Sequence, residues 1–200
     1  MKVVADDTKE RLLDAAVHVF SERGYQGAGV SEIARRANLT TGAIYSQYRG
    51  KSDLMLEALT ARIPQELERL LASGDTPTDL TTILSTLGSG LLVEDKTGDA
   101  LMIETFAAAS REPDLSERLL SRLQDEERQL AKLIDDAKAV GEFDPALDTV
   151  AIVRLCHSIG LGMFLSRVIG LPMPDPVQWQ LLIDRVIASA SPQLRNPENS

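Results

Sequence analysis

Ile33, Ala34 and Ala37 recur at helical spacing within residues 31–51 (SEIARRANLTTGAIYSQYRGK), which makes them one buried stripe of a short helix. Asn38 and Leu39 interrupt that stripe. Thr40 and Thr41 carry hydroxyls of the kind that cap a new helix. Gly42, Ala43, Ile44 and Tyr45 begin it, with Ile44 and Tyr48 spaced to turn inward. The expected helices are 31–38 and 41–48. Two short helices joined by a tight turn form a helix-turn-helix, whose second helix fits the DNA major groove. A helical hairpin in an ordinary all-α core has the same spacing, so this geometry alone leaves both readings open.

More positions join the pattern. Ala15, Ala16, Phe20, Gly24 and Tyr25 lead in; Val30, Ile33, Ala34, Ala37, Leu39, Gly42, Ile44, Tyr45, Tyr48, Lys51 and Leu54 follow. Together they resemble the N-terminal DNA-binding domain of the TetR family of transcriptional regulators. Two positions depart from the family pattern. Ala28 and Gly29 stand where Thr or Ser is frequent; Gly29 can still cap and Ser31 lies close by, but a hydroxyl contact from position 29 to phosphate is lost. Tyr48 stands where Phe is frequent and keeps the ring. The resemblance implies an all-α protein: a three-helix helix-turn-helix domain over 1–51, a linker helix over 51–73, and a helical effector-binding and dimerisation domain over 74–200.

The net charge of −9 argues against a nucleic-acid partner, but its distribution does not. Residues 1–51 hold eight Lys and Arg against six Asp and Glu, a net of +2; the remainder holds 13 against 24, a net of −11. A mildly basic head on an acidic body suits a module whose head alone meets phosphate, and a dimer reading a specific site better than a non-specific coater of DNA. Hydrophobic residues make up 44% of the 200, enough for a sizeable core. No apolar run of membrane-spanning length is expected, and MKVVADDTKERLL lacks a signal-peptide apolar region, so a soluble cytoplasmic protein without a membrane partner is expected. Cys156 is the single cysteine, so no intrachain disulfide forms, and His18 and His157 lack partners at zinc spacing; no metal and no cofactor are expected.

Along the chain, residues 1–6 read as a loose arm. Asp6, Asp7 and Thr8 start a helix, its stripe runs through Leu12, Ala16, Val19 and Phe20, and Gly24 ends it. His18 falls off the stripe and is expected in solvent. Lys51, Ser52 and Asp53 open the linker helix through Leu54, Leu56, Leu59, Ile63, Leu67, Leu70 and Leu71 toward Gly74, with a bend expected at Pro64. Residues 73–79 (SGDTPTD) are turn-rich and mark a boundary. Helical patterns then occupy about 80–92, 97–111, 114–139, 146–170 and 176–190, with a break from Gly141 to Pro145 and a polar tail over 192–200.

Three sites follow. In the head, Thr41, Gly42, Ala43, Tyr45, Ser46 and Gln47 lie near the leading edge of the second motif helix. Gln47 can pair with adenine, and Thr41 or Ala43 can meet a thymine methyl. Phosphate contacts are expected from Thr40, Tyr45, Tyr48, Lys51 and backbone N–H groups at the helix start. The resemblance places Ser31, Thr41, Tyr45, Gln47 and Lys51 at DNA-touching positions. In the body, helix 150–170 is apolar nearly all round, from Val150 and Ile152 to Val168 and Ile169, so one face is left for a partner, and Gly160 and Gly162 allow close approach. TetR-like bodies dimerise through their last two helices, here about 146–170 and 176–190, and the double-stranded DNA partner is then a pseudo-palindromic operator. The third site is a small-molecule pocket of the kind family bodies hold. Its candidates are Leu84, Leu87, Leu101, Met102, Phe106, Ile159, Met163 and Phe164, with Thr105, Ser110, His157 and Ser158 to orient a ligand and Trp179 as a wall. For each of these alone plain core packing is the commoner reading, because apolar residues at helical spacing are what any core looks like.

The expected function is a dimeric regulator, a repressor released from its operator by a small, apolar ligand. A regulator without an effector and an activator are compatible with the same residues. No nucleophile–base spacing, phosphate loop or metal cluster supports an enzyme.

Overall fold

Leu12, Ala16, Val19 and Phe20 are fully buried along one face of helix α1 (Lys2–Gly27). The computed structural model describes residues 2–62, 80–93 and 96–192. The backbone is helical from Lys2, where the sequence suggested a loose arm. His18 is exposed. Gly24 breaks the helix with φ 68° and ψ 170°, and a single turn follows, closed by Ala28 N–H donating to Gly24 O at 3.0 Å. That backbone region is almost reserved for glycine. Gly24→Ala is therefore expected to cost about 1–3 kcal/mol, seen as a lower unfolding midpoint; an unchanged midpoint would contradict this conformation.

The other described helices are α2 (Val30–Arg36), α3 (Thr41–Tyr45), α4 (Lys51–Thr60), α5 (Leu80–Gly90), α6 (Lys96–Ala109), α7 (Pro113–Ala139), α8 (Thr149–Val168) and α9 (Pro176–Ser189). Among the described residues the expected helices are present, and both motif helices are shorter than their apolar patterns. The linker helix appears as α4; its continuation beyond residue 62, the bend at Pro64, the boundary at 73–79 and the tail from 193 lie outside the described residues.

Packing divides the chain into two units. The first combines residues 1–64 with 95–123, so it reaches beyond the 1–51 head to include α6 and the start of α7. Its core joins Phe20, Ile33, Ile44, Leu54 and Met55 to Leu101, Leu115 and Leu119. Helix α1 packs on α2, α4 and α6.

The second unit combines 65–94 with 124–200. Helix α5 packs on α9. A Cβ on Gly88 would lie 2.8 Å from Ile183 Cγ2, so glycine permits the crossing, and Trp179 Nε1 donates to Gly88 O at 2.8 Å. Gly141, with φ 81°, follows the end of α7. Phe143 then turns into the core beside Ile134 and Val153, and Asp144 N–H donates to Ala190 O at 2.8 Å. Asp148 caps α8 through Ala151 N–H.

One expectation needs correcting. Helix α8 is 20 residues long with mean hydropathy 1.5, so it is long and apolar enough to cross a membrane by length and composition. Arg154 and Arg167 interrupt the apolar run within this helix. Those arginines bond within the second unit, Arg154 to Glu127 at 3.1 Å and Arg167 to Leu91 O at 2.8 Å.

Candidate nucleic-acid interface

The turn between α2 and α3 is a helix C-cap followed at once by an N-cap. Ala37 ends α2, and Asn38 takes φ 57°, a left-handed value that asparagine tolerates. Asn38 N–H donates to Arg35 O at 3.2 Å and Leu39 N–H to Ala34 O at 2.8 Å, the paired bonds of a Schellman motif. Thr40 caps α3, its hydroxyl accepting from Ala43 N–H at 3.2 Å. Ile44 is then driven into the core at 1% exposure, which rolls the opposite side of α3 outward.

That outward side carries the residues expected to read DNA. Thr40, Thr41, Gly42, Tyr45, Ser46 and Gln47 are exposed, and Ala43 is half-buried. Tyr45 is 57% exposed despite its size. Ser46 donates its hydroxyl to Ala43 O at 2.8 Å, so its oxygen stays close to the helix surface. Ser31 is exposed in the first turn of α2. Tyr48 packs partly against the core; burial, with Glu57 nearby, raises its phenol above the ordinary value, so it remains a neutral donor at physiological pH.

Lys51 behaves differently from a simple phosphate ligand. Its ammonium donates to Tyr25 O at 2.6 Å and Ala28 O at 3.4 Å, and lies 4.3 Å from the Tyr25 ring centroid. Its first task here is to hold the corner between α1 and α2. Tyr25 is buried, and its hydroxyl meets Ser52 Oγ at 2.8 Å.

Sequence reading missed the groups that fix the motif on its scaffold. Arg36 spans to Glu22 on α1 through two bonds of 3.0 and 3.2 Å, and this partner holds the Glu22 carboxyl below its ordinary value. Asp53 accepts from Arg49 N–H at 2.9 Å and pairs with Arg118. Arg122 bonds Thr60 Oγ1 and reaches Leu56 O at 3.3 Å. Asp53 and Thr60 are more than 60 residues from Arg118 and Arg122, so no local pattern announces these two bonds.

The pocket candidates are not one cluster. Leu101 and Phe106 belong to the first unit's core, and Thr105 is fully buried there, its hydroxyl spent on Leu101 O at 2.8 Å. Met102 lies half-buried on the same helix. Leu84, Leu87 and Trp179 pack in the second core, and Phe164 is buried on α8. Ile159 and Met163 are half-buried on α8, and His157 Nδ1 lies 3.1 Å from Glu127. Helical periodicity cannot distinguish a residue lining a cavity from one filling a core. The second unit does carry an open groove of about 430 Å³, lined by Gln124, Glu127, Arg128, Ala131, Val150, Val153 and Arg154, none of them in the candidate set.

A capped two-helix turn with one helix anchored by a buried isoleucine and presenting polar side chains outward defines the class of the motif: a helix-turn-helix. Residues 12–58 match the family described as bacterial regulatory proteins, tetR family. The transcriptional regulator UidR of Escherichia coli strain K12 is 26% identical over 166 residues, covering 82% of this chain and 83% of that protein. Residues 12–58 therefore form a tetR-family DNA-binding domain, and over most of its length the chain is similar to a regulator of transcription. Two solved structures share its fold. Salmonella enterica GusR has a TM-score of 0.70 at 23% identity, over 92% of this chain and 95% of that one. FadR from Bacillus subtilis, in complex with stearoyl-CoA, has 0.69 at 21%, over 90% and 98%. At those identities the likeness concerns the fold alone.

Proposed function

We propose that this regulator is a homodimeric repressor that reads a pseudo-palindromic operator and leaves it when a small apolar ligand binds. The carrying observation is the outward face of α3, whose polar edge is displayed because Ile44 is buried beneath it. Thr41, Tyr45 and Gln47 meet bases or the groove wall; Ser31, Thr40 and Tyr48 meet phosphates, together with whatever reach Lys51 retains.

Dimerisation is supported by the exposed apolar row of Leu161 and Leu165 on α8 and Ile169 at its C-cap, with Val177, Leu181, Leu182 and Val186 on α9. Gly162, with open space where its Cβ would be, leaves room for a facing helix. Isologous pairing of these helices gives the dimer two copies of α3, one for each half-site of the operator. Such a chromosomal role belongs in the cytoplasm, and it requires no catalysis.

Ligand release follows from linkage: a ligand weakens operator binding only by its preference for the state that does not fit DNA, and DNA weakens ligand binding by the same factor. The stearoyl-CoA held by a protein of the same fold is the ground for testing acyl-type ligands first. A regulator without an effector is the second reading, favoured by the packing of Leu84, Leu101 and Trp179 into cores. Activation in place of repression would follow from operator position with the same contacts.

The test is selection of bound sequences from a random DNA pool at fixed physiological salt. An inverted repeat is expected; no enrichment by folded, dimeric protein counts against the proposal. In the same assay Gln47→Ala is expected to relax one base position per half-site, by about 1–3 kcal/mol of discrimination. An unchanged selected site would remove Gln47 as a base reader.

A further inference from the structure

Tyr25 has its three polar groups engaged from two directions. Lys51 and Ser52, in the first turn of α4, hold its carbonyl and hydroxyl. Its N–H donates to Glu104 Oε1 at 2.6 Å, from α6 and 79 residues away in sequence. The bond sits at the Gly24 break, where a Cβ on Gly24 would lie 3.1 Å from the same oxygen. Glu104 thus caps the single turn that carries the chain from α1 into α2. Helix α1 is embedded in the first core, so the angle at this turn sets where α2 and α3 point.

We infer that Glu104 is a positioning residue for operator recognition, acting through Tyr25 although it lies outside both residues 12–58 and the expected head. The inference rests on α3 being the DNA-reading helix. Reading bases requires side chains held within about 0.5 Å of their productive geometry. Attraction to phosphate does not, because it is carried by charge and tolerates small displacements. Loosening the corner therefore weakens the specific complex and spares the non-specific one. Coulomb's law alone gives the opposite sign, since removing a carboxylate from a protein that meets a polyanion favours every DNA complex.

Two variants separate these effects. Glu104→Asp keeps the charge but is one methylene too short to reach Tyr25 N–H. Glu104→Gln loses the charge and keeps a carbonyl acceptor at the same reach. Affinity is measured for the selected operator and for random duplex of equal length, across a salt series, with the unfolding midpoint checked for each protein. Glu104→Asp is expected to bind the operator about tenfold more weakly, with random-duplex affinity and salt slope unchanged. Glu104→Gln is expected to stay within about threefold of the parent on the operator. Parent-like operator binding by Glu104→Asp, or equal losses on operator and random duplex, would overturn the inference. Failure of the unsubstituted protein to enrich any sequence would instead remove the DNA-reading assignment of α3.

Discussion

Leu165→Asp combined with Leu182→Asp is expected to yield a folded monomer that binds the operator at least about a thousandfold more weakly than the parent. Both leucines are 53% exposed in the single chain, so carboxylates there disturb neither core. Helicity and the unfolding of the isolated chain should change little. In a two-fold dimer each substitution appears twice, so four apolar side chains are replaced by four charges. Each lost leucine removes about 1.5–3 kcal/mol of burial, and each carboxylate left unpaired in an apolar interface costs several kcal/mol more. A monomer offers one recognition helix in place of two and loses the contribution of the second half-site. Sedimentation at micromolar concentration reads the assembly, and operator titration reads the consequence. A dimer surviving both substitutions would place the interface elsewhere than on α8 and α9.

Phe20→Ala is expected to destabilise the first unit by about 3–5 kcal/mol. Phe20 has no exposed surface, and its ring stacks with Tyr25 at 6.2 Å between centroids and 13° between planes. Truncation leaves a cavity among Ile33, Ile44, Leu54 and Met55, which pack from three different helices and cannot all close on it. Whole domains are stable by only about 5–15 kcal/mol, so the loss is a large share of the total. DNA binding should fall with it, because Phe20 and Tyr25 support the corner from which α2 and α3 depart. Denaturant unfolding checks the magnitude; a loss below about 1 kcal/mol would show that the site collapses or repacks.

The helix-turn-helix was legible because its determinants are local. Ile33, Ala34 and Ala37 set a stripe, Thr40 supplies a cap, Gly24 is the residue for a backbone that other side chains avoid, and Ile44 fixes which way α3 faces. The outward row on α8 and α9 was legible for a related reason: more apolar surface is written into these helices than one chain can cover. The short reach of α3 was less visible, because Gln47 and Tyr48 continue its pattern while the backbone leaves the helix after Tyr45. The ligand candidates mark the clearest limit. Leu84, Leu101, Met163 and Trp179 carry one and the same periodic signal, yet Leu101 belongs to one core and Leu84 and Trp179 to the other.

Sequence by itself determined the helices, their caps, the helix-turn-helix motif and the apolar face of the last two helices, since each depends on residues within a few turns of one another. Tertiary structure decided what fixes that motif in place. The bonds of Glu104 to Tyr25, Arg118 to Asp53 and Arg122 to Thr60 join residues more than 60 positions apart. Charged side chains of these types are common on any helix surface, and only the folded arrangement selects which of them meet a partner.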